Sequence, residues 1–158
     1  MRIRLLSIAV FLVCTAARSG PAGEPRSDTP EAVIASLYAH HQPGRGKEVD
    51  TCDRAAISRY CDARLTDLFL RDCACAKKTH EVCNLDWDPF YDSQDFGKED
   101  PRPRIERLEG SGAFEVTIRN LGETKLTYEM TKTPAGWRIA NVRTPKWDLR
   151  EVLSGRAK

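Results

Sequence analysis

The 158-residue chain has no apolar run long enough to cross a bilayer, which takes about 20 residues. Its one sustained run, Leu5 to Val13, is short and interrupted by Ser7. A polytopic membrane protein is thereby excluded. The chain also lacks charge of one sign. Arg2, Arg4 and Arg18 account for its basic excess, because of 25 Lys and Arg only 22 follow residue 22, against 23 Asp and Glu. A nearly neutral remainder gives no electrostatic case for nucleic acid or an anionic membrane face. Histidine is scarce, at His40, His41 and His80. No glycine-rich phosphate loop opens a helix; Gly110-Ser111-Gly112 sits between strands. No Ser or Cys lies in a recognisable nucleophile motif. There is no internal repeat and no low-complexity tract.

What the chain does have begins with its first residues. Arg2 and Arg4 precede the apolar run, and Thr15, Ala16 and Ala17 follow it. That order of charge, apolar core and small residues is the layout of a secretory signal peptide, with cleavage expected near residue 17 or 22. Cys14 is preceded by Val13, and Phe11 stands where a lipoprotein signal carries Leu. Cys14 is therefore expected to leave with the signal rather than to carry a lipid anchor. Residues 18–27, rich in Pro, Gly and Ser, read as a flexible lead-in to one domain spanning 29–153.

Export implies oxidising conditions, so the remaining cysteines read first as disulfides. Cys52, Cys61, Cys73, Cys75 and Cys83 all fall within 52–83. Cys52 with Cys61 would close a short loop, and Cys83 would close back to Cys73 or Cys75. Five is odd, so one thiol is left over. Cys73, Cys75, His80 and Cys83 are a weaker zinc set, because structural zinc sites favour Cys-x₂₋₄-Cys pairs. No metal and no cofactor is expected.

The pattern predicts helices first and strands afterwards. Thr29-Pro30-Glu31 is a helix start: Thr suits the N-cap, Pro the first helical position and Glu the positive dipole end. Val33, Ile34, Leu37, Tyr38 and His41 follow at helical spacing, and Pro43-Gly44 stops the helix. A second helical region runs from about 54 to 78, with a break near Cys61-Asp62. Ile105–Glu109 reads as a strand, Phe114-Val116-Ile118 and Leu126-Tyr128-Met130 alternate with polar residues as two more, and Trp137, Ile139, Ala140 and Val142 form the last of a four-stranded antiparallel meander with short turns. Trp147 to Leu153 reads as a closing helix. This is an α+β chain, with N-terminal helices packed on a curved four-stranded antiparallel sheet. A pocket is expected in the gap between helices and sheet.

Between helices and strands, residues 82–104 lose periodicity and carry Asp86, Asp88, Asp92, Asp95, Glu99 and Asp100. A long irregular connection in a compact domain is often functional. Asp86 and Asp88, two apart, would point to one side of an extended backbone. Asp86, Asp88, Tyr91, Gln94 and Asp95, together with His41, form the candidate ligand-binding set. The plainer account, and the favoured one, is that Asp88-Pro89 starts a turn and Asp86 caps local backbone N–H groups. For His40 and His41 a helix-end role is favoured over general acid–base work.

Thr29-Pro30-Glu31 with its apolar helix, Leu85-Asp86-Trp87-Asp88-Pro89-Phe90, Gln94-Asp95, Trp137-Arg138-Ile139-Ala140-Asn141-Val142 and Trp147-x-Leu149-Arg150-x-x-Leu153 together resemble a bacterial family of small exported or lipid-anchored envelope proteins. That family has a domain of unknown function. The resemblance implies a cystatin-like, nuclear-transport-factor-2-like fold and a periplasmic or secreted location. It implies no particular activity, and the cysteine window departs from the pattern. The expectation is a non-enzymatic envelope binding module for an unknown small ligand or envelope protein. The alternatives are a periplasmic inhibitor or immunity protein against a secreted enzyme, and a small pocket enzyme using an Asp/His pair.

Overall fold

A computed structural model describes residues 29–156. The expected signal peptide, lead-in and Cys14 lie outside the described residues. The order is helix α1 (Pro30–His40), a 3₁₀ turn (Pro43–Arg45), helices α2 (Arg54–Ile57) and α3 (Ala63–Thr79), strands β1 (Arg104–Arg107), β2 (Ala113–Arg119), β3 (Glu123–Thr133) and β4 (Gly136–Arg143), and helix α4 (Leu149–Leu153). The strands pair antiparallel in the order β1-β2-β3-β4. The molecule is α+β, with helices α1, α3 and α4 against β4. Among the described residues no helix is long and apolar enough to cross a membrane.

Local chemistry explains the boundaries. The Thr29 hydroxyl accepts the Ala32 N–H at 3.1 Å and starts α1. Asp53 and Asp62 do the same for α2 and α3, through Ala56 N–H and Leu65 N–H. The break between α2 and α3 has a further cause. Residues 60–62 run beside β4, with Ile139 N–H donating to Tyr60 O at 2.7 Å and Asp62 N–H to Ile139 O at 2.9 Å. That ladder covers the free edge of β4, which would otherwise present unpaired backbone groups. On β2, Phe114, Val116 and Ile118 point inward while Glu115 and Thr117 are half-exposed, as alternation requires. On β4 the alternation fails: a register shift opposite Glu129/Met130 leaves Ala140 as the extra residue. Ile139 and Val142, three apart, are therefore both buried.

The space between helices and sheet is filled, contrary to the expected pocket there. Tyr38, Leu37, Phe114, Val116, Leu126, Tyr128 and Ile139 are each at most 1 % exposed. The buried hydroxyls are paired. Tyr38 donates to Phe90 O at 2.7 Å, which commits its only proton, so Tyr128 donates to the Tyr38 oxygen at 2.8 Å. Burial pushes both phenols well above their ordinary values, and Asp88 adds to the shift.

The cysteines pair as Cys52–Cys73 and Cys75–Cys83. This corrects the expected Cys52–Cys61 loop and selects Cys75 over Cys73 as the partner of Cys83. Cys61 belongs to no disulfide; it is the odd thiol, buried at 2 % exposure beside Ile139. The reason is positional: Cys61 lies on the segment that covers the β4 edge, while α3 returns Cys73 beside Cys52. With four sulfurs oxidised, the alternative zinc set has no thiolates to offer. No group of three or more His, Cys, Asp or Glu able to hold a metal occurs among the described residues.

Candidate functional site

The connection from α3 to β1 has little regular structure, yet it is fastened at many points. Asp88 N–H donates to Ser93 O at 2.9 Å and Ser93 N–H back to Asp88 O, closing a turn in which Asp92 takes φ +49. Trp147 Nε1–H donates to Asp92 Oδ1 at 2.7 Å, and the Trp87 and Trp147 rings meet edge-on at 5.8 Å. Phe90 is fully buried. Further along, Gly97 N–H donates to Asn120 Oδ1, and Asn120 Nδ2–H to Asp95 O. At its start, Asn84 donates through its backbone and side-chain nitrogens to Asp72 Oδ1, at 2.9 and 2.8 Å.

The strongest of these links joins the loop to the end of α1. His41 Nε2 lies 2.5 Å from Asp88 Oδ2, with both side chains mostly buried. Val49 N–H donates to His41 Nδ1 at 3.0 Å. An N–H aimed at Nδ1 requires a lone pair there, so the ring proton sits on Nε2 and is donated to Asp88. Asp88 Oδ1 meanwhile accepts the Phe90 N–H at 2.8 Å. Beneath this pair, Tyr91 donates its hydroxyl to His41 O at 2.8 Å. Burial, reinforced by the nearby Asp88, pushes the Tyr91 phenol up.

This assignment has a direct test. In Asp88→Asn the amide NH₂ would face the His41 N–H, and the other tautomer would set Nδ1–H against the Val49 N–H. One buried donor is left unpaired either way, so Asp88→Asn is expected to cost about 2 kcal/mol of stability. Urea unfolding measures it; a variant as stable as the parent would mean that His41 gives no proton to Asp88.

Above the His41–Asp88 pair lies a cleft of about 580 Å³ between α3 and the loop. Phe69, Leu85, Phe90 and Phe96 give it an apolar lining, and Cys52 and Cys73 form part of its wall. Glu48, Asp72, Asp86 and Asp88 are the acidic residues of its lining; the carboxylates of Asp72 and Asp88 already hold N–H partners. No Lys or Arg lines it among the described residues. Its volume lies in the range of small-ligand sites. Of the candidate set, Asp86, Asp88, Gln94 and His41 come together here. Gln94 is tied down by donating from Nε2 to Asp86 O at 2.9 Å. Tyr91 and Asp95 do not line the cleft: Tyr91 is buried under it, and Asp95 faces Asn120 through its carbonyl.

Compared with known proteins, the chain matches no family model, no curated protein and no solved structure. The cleft therefore has to be read from its own residues. Glu48, Asp72 and the Cys52–Cys73 wall escaped the sequence reading. Asp72 had a signal: it stands on the apolar stripe Leu65, Leu68, Phe69, where a lone acid predicts a buried role. Glu48 had none.

Chemically, the His41–Asp88 pair resembles the base-and-orienter half of a catalytic triad, but its wiring is complete. One ring nitrogen gives its proton to Asp88 and the other accepts from Val49. No basic nitrogen is left facing the cleft to take a substrate proton. The pair clamps the end of α1 to the loop.

Proposed function

We propose that this protein is an exported, non-enzymatic binding module of the bacterial envelope, with a cystatin-like, nuclear-transport-factor-2-like fold. Its ligand is a basic, apolar-bearing group such as a Lys- or Arg-containing peptide segment of an envelope protein. One observation carries the proposal: the cleft joins an aromatic lining to four acidic residues, of which Glu48 and Asp86 hold no partner on their carboxylates among the described residues, and no Lys or Arg lines it. Apolar contact would supply affinity, and the carboxylates would select charge. The two disulfides suit an oxidising compartment, and the resemblance noted in the sequence points to the same place. The occupied nitrogens of His41 argue against the pocket-enzyme alternative.

The experiment is a fluorescence titration with a short Phe- and Lys-containing peptide, using Trp87 and Trp147 as reporters, with a Phe- and Glu-containing peptide as control. The basic peptide is expected to bind, to weaken with salt, and to lose about tenfold in affinity in Asp86→Asn/Glu48→Gln. Glu106→Gln, on the sheet, should bind as the parent does. Equal binding of the acidic peptide, or no binding of the basic one, would overturn the proposal.

A further inference from the structure

A second cleft, of about 390 Å³, opens on the other side of Asp72, between α3 and the chain that follows α4. Its chemistry is the opposite of the first. Arg64 and Arg71, seven residues apart, share one face of α3, and Arg156 joins them from the chain end. The approach of Arg156 is built in. Gly155 N–H donates to Val152 O at 2.8 Å and Arg156 N–H to Glu151 O at 2.9 Å, the paired bonds of a Schellman turn. That turn needs a left-handed residue, and Gly155 has φ +67. It folds the chain back so that Arg156 faces α3.

Several other arginines are matched with acids. Arg54 pairs with Asp67, Arg102 with Asp100, Arg104 with Glu106, Arg143 with Glu129 and Arg150 with Asp62. Arg64, Arg71 and Arg156 have no ion-pair partner among the described residues; Arg71 reaches only the Asp67 carbonyl, at 3.3 Å. Asp72 is the one acid lining the cleft, and its Oδ1 already takes two N–H groups from Asn84. Three guanidiniums thus stand round one hollow against a single carboxylate, an excess of two positive charges.

We infer that this cleft is an anion site for a multiply charged phosphate group. Planar guanidinium forks match the oxygens of phosphate in pairs, and three of them favour a group carrying more than one charge. Leu68 and Leu153, both buried, form a floor that offers no competing charge. The inference is independent of the peptide reading, since the two clefts share only the Asp72 side chain.

The test is an NMR titration of the ¹⁵N-labelled mature protein at low salt with inorganic pyrophosphate, followed by co-sedimentation with vesicles containing phosphatidic acid. Pyrophosphate is expected to shift the amides of Asn84, Gly155 and Arg156 before any others. Arg64→Gln/Arg71→Gln should weaken it at least tenfold, while Arg102→Gln leaves it unchanged. Co-sedimentation that pyrophosphate competes away would assign the phosphate to a lipid headgroup; pyrophosphate binding without co-sedimentation would assign it to a free solute. Shifts scattered over the surface, no shifts, or equal weakening in Arg102→Gln would overturn the inference.

Discussion

Raised above pH 10, the protein is expected to lose stability at about 4 kcal/mol per pH unit and to unfold cooperatively. The three most deeply buried acidic protons account for that slope, and the raised phenol of Tyr91 steepens it further. Tyr38 and Tyr128 carry phenols, and Cys61 a thiol, whose ordinary values are 10.0, 10.0 and 9.0; burial pushes all three up. For Cys61 the neighbouring Asp62 adds to the shift, while Arg138 opposes it. The folded state keeps these protons where the unfolded chain releases them. The unfolded state therefore binds fewer protons, and stability falls as pH rises. It is fully present below about pH 9, begins to fall as unfolded Cys61 ionises, and falls faster once the two tyrosines join. Each proton contributes about 1.4 kcal/mol per unit. A domain of ordinary stability, about 5–15 kcal/mol, then unfolds within a few units. Phenolate absorbance and far-ultraviolet circular dichroism should change together in one transition. Tyr128→Phe or Cys61→Ala should each make the fall shallower by about 1.4 kcal/mol per unit. Phenolate signals that rise smoothly near pH 10 in a folded protein would contradict the buried, paired arrangement of Tyr38 and Tyr128.

Removing the Cys52–Cys73 bridge as Cys52→Ser/Cys73→Ser should cost about 3 kcal/mol, because the closed loop spans 21 residues and its entropy returns to the unfolded chain. The loss should reach function as well, since these sulfurs form a wall of the carboxylate-lined cleft. Urea unfolding gives the stability, and the Trp titration gives the binding. A matched Cys61→Ser variant separates loss of a bridge from loss of a sulfur, for Cys61 is bridged to nothing. Intact mass of the oxidised protein should fall short of the fully reduced value by about 4 Da, two hydrogens for each of two bridges. A double variant within about 1 kcal/mol of the parent would argue that the pair does not form.

The elements with local causes were legible in the sequence. Thr29 caps α1, Pro30 opens it, and the α2–α3 break falls at Cys61-Asp62 as the helical pattern implied. β2 and β3 were visible by alternation, although β3 runs further at both ends, because its neighbours supply pairing for residues with no apolar signal of their own. The closing helix was expected from Trp147 and begins at Leu149, because Asp148 takes the cap. What stayed hidden depended on distance along the chain. His41 and Asp88 are 47 residues apart, and each alone looked like a helix-end or turn residue. Each does play that local part, and the fold adds the contact between them. Spacing likewise suggested Cys52 with Cys61, the nearest partner. The pair that forms depends on the course of α3, and no count of intervening residues contains that.

The two bridges have one more consequence, for a chain that meets proteases. Residues 53–72 and 76–82 each lie inside a covalent ring. Lys77 and Lys78 are exposed in the smaller ring, and Arg54, Arg59, Arg64 and Arg71 stand in the larger. A protease that cuts after any of these adds a water molecule and frees no fragment. The severed ends stay tethered through sulfur until a reductant arrives. The helices that flank the cleft are thus the part of the molecule that can be nicked and still hold together.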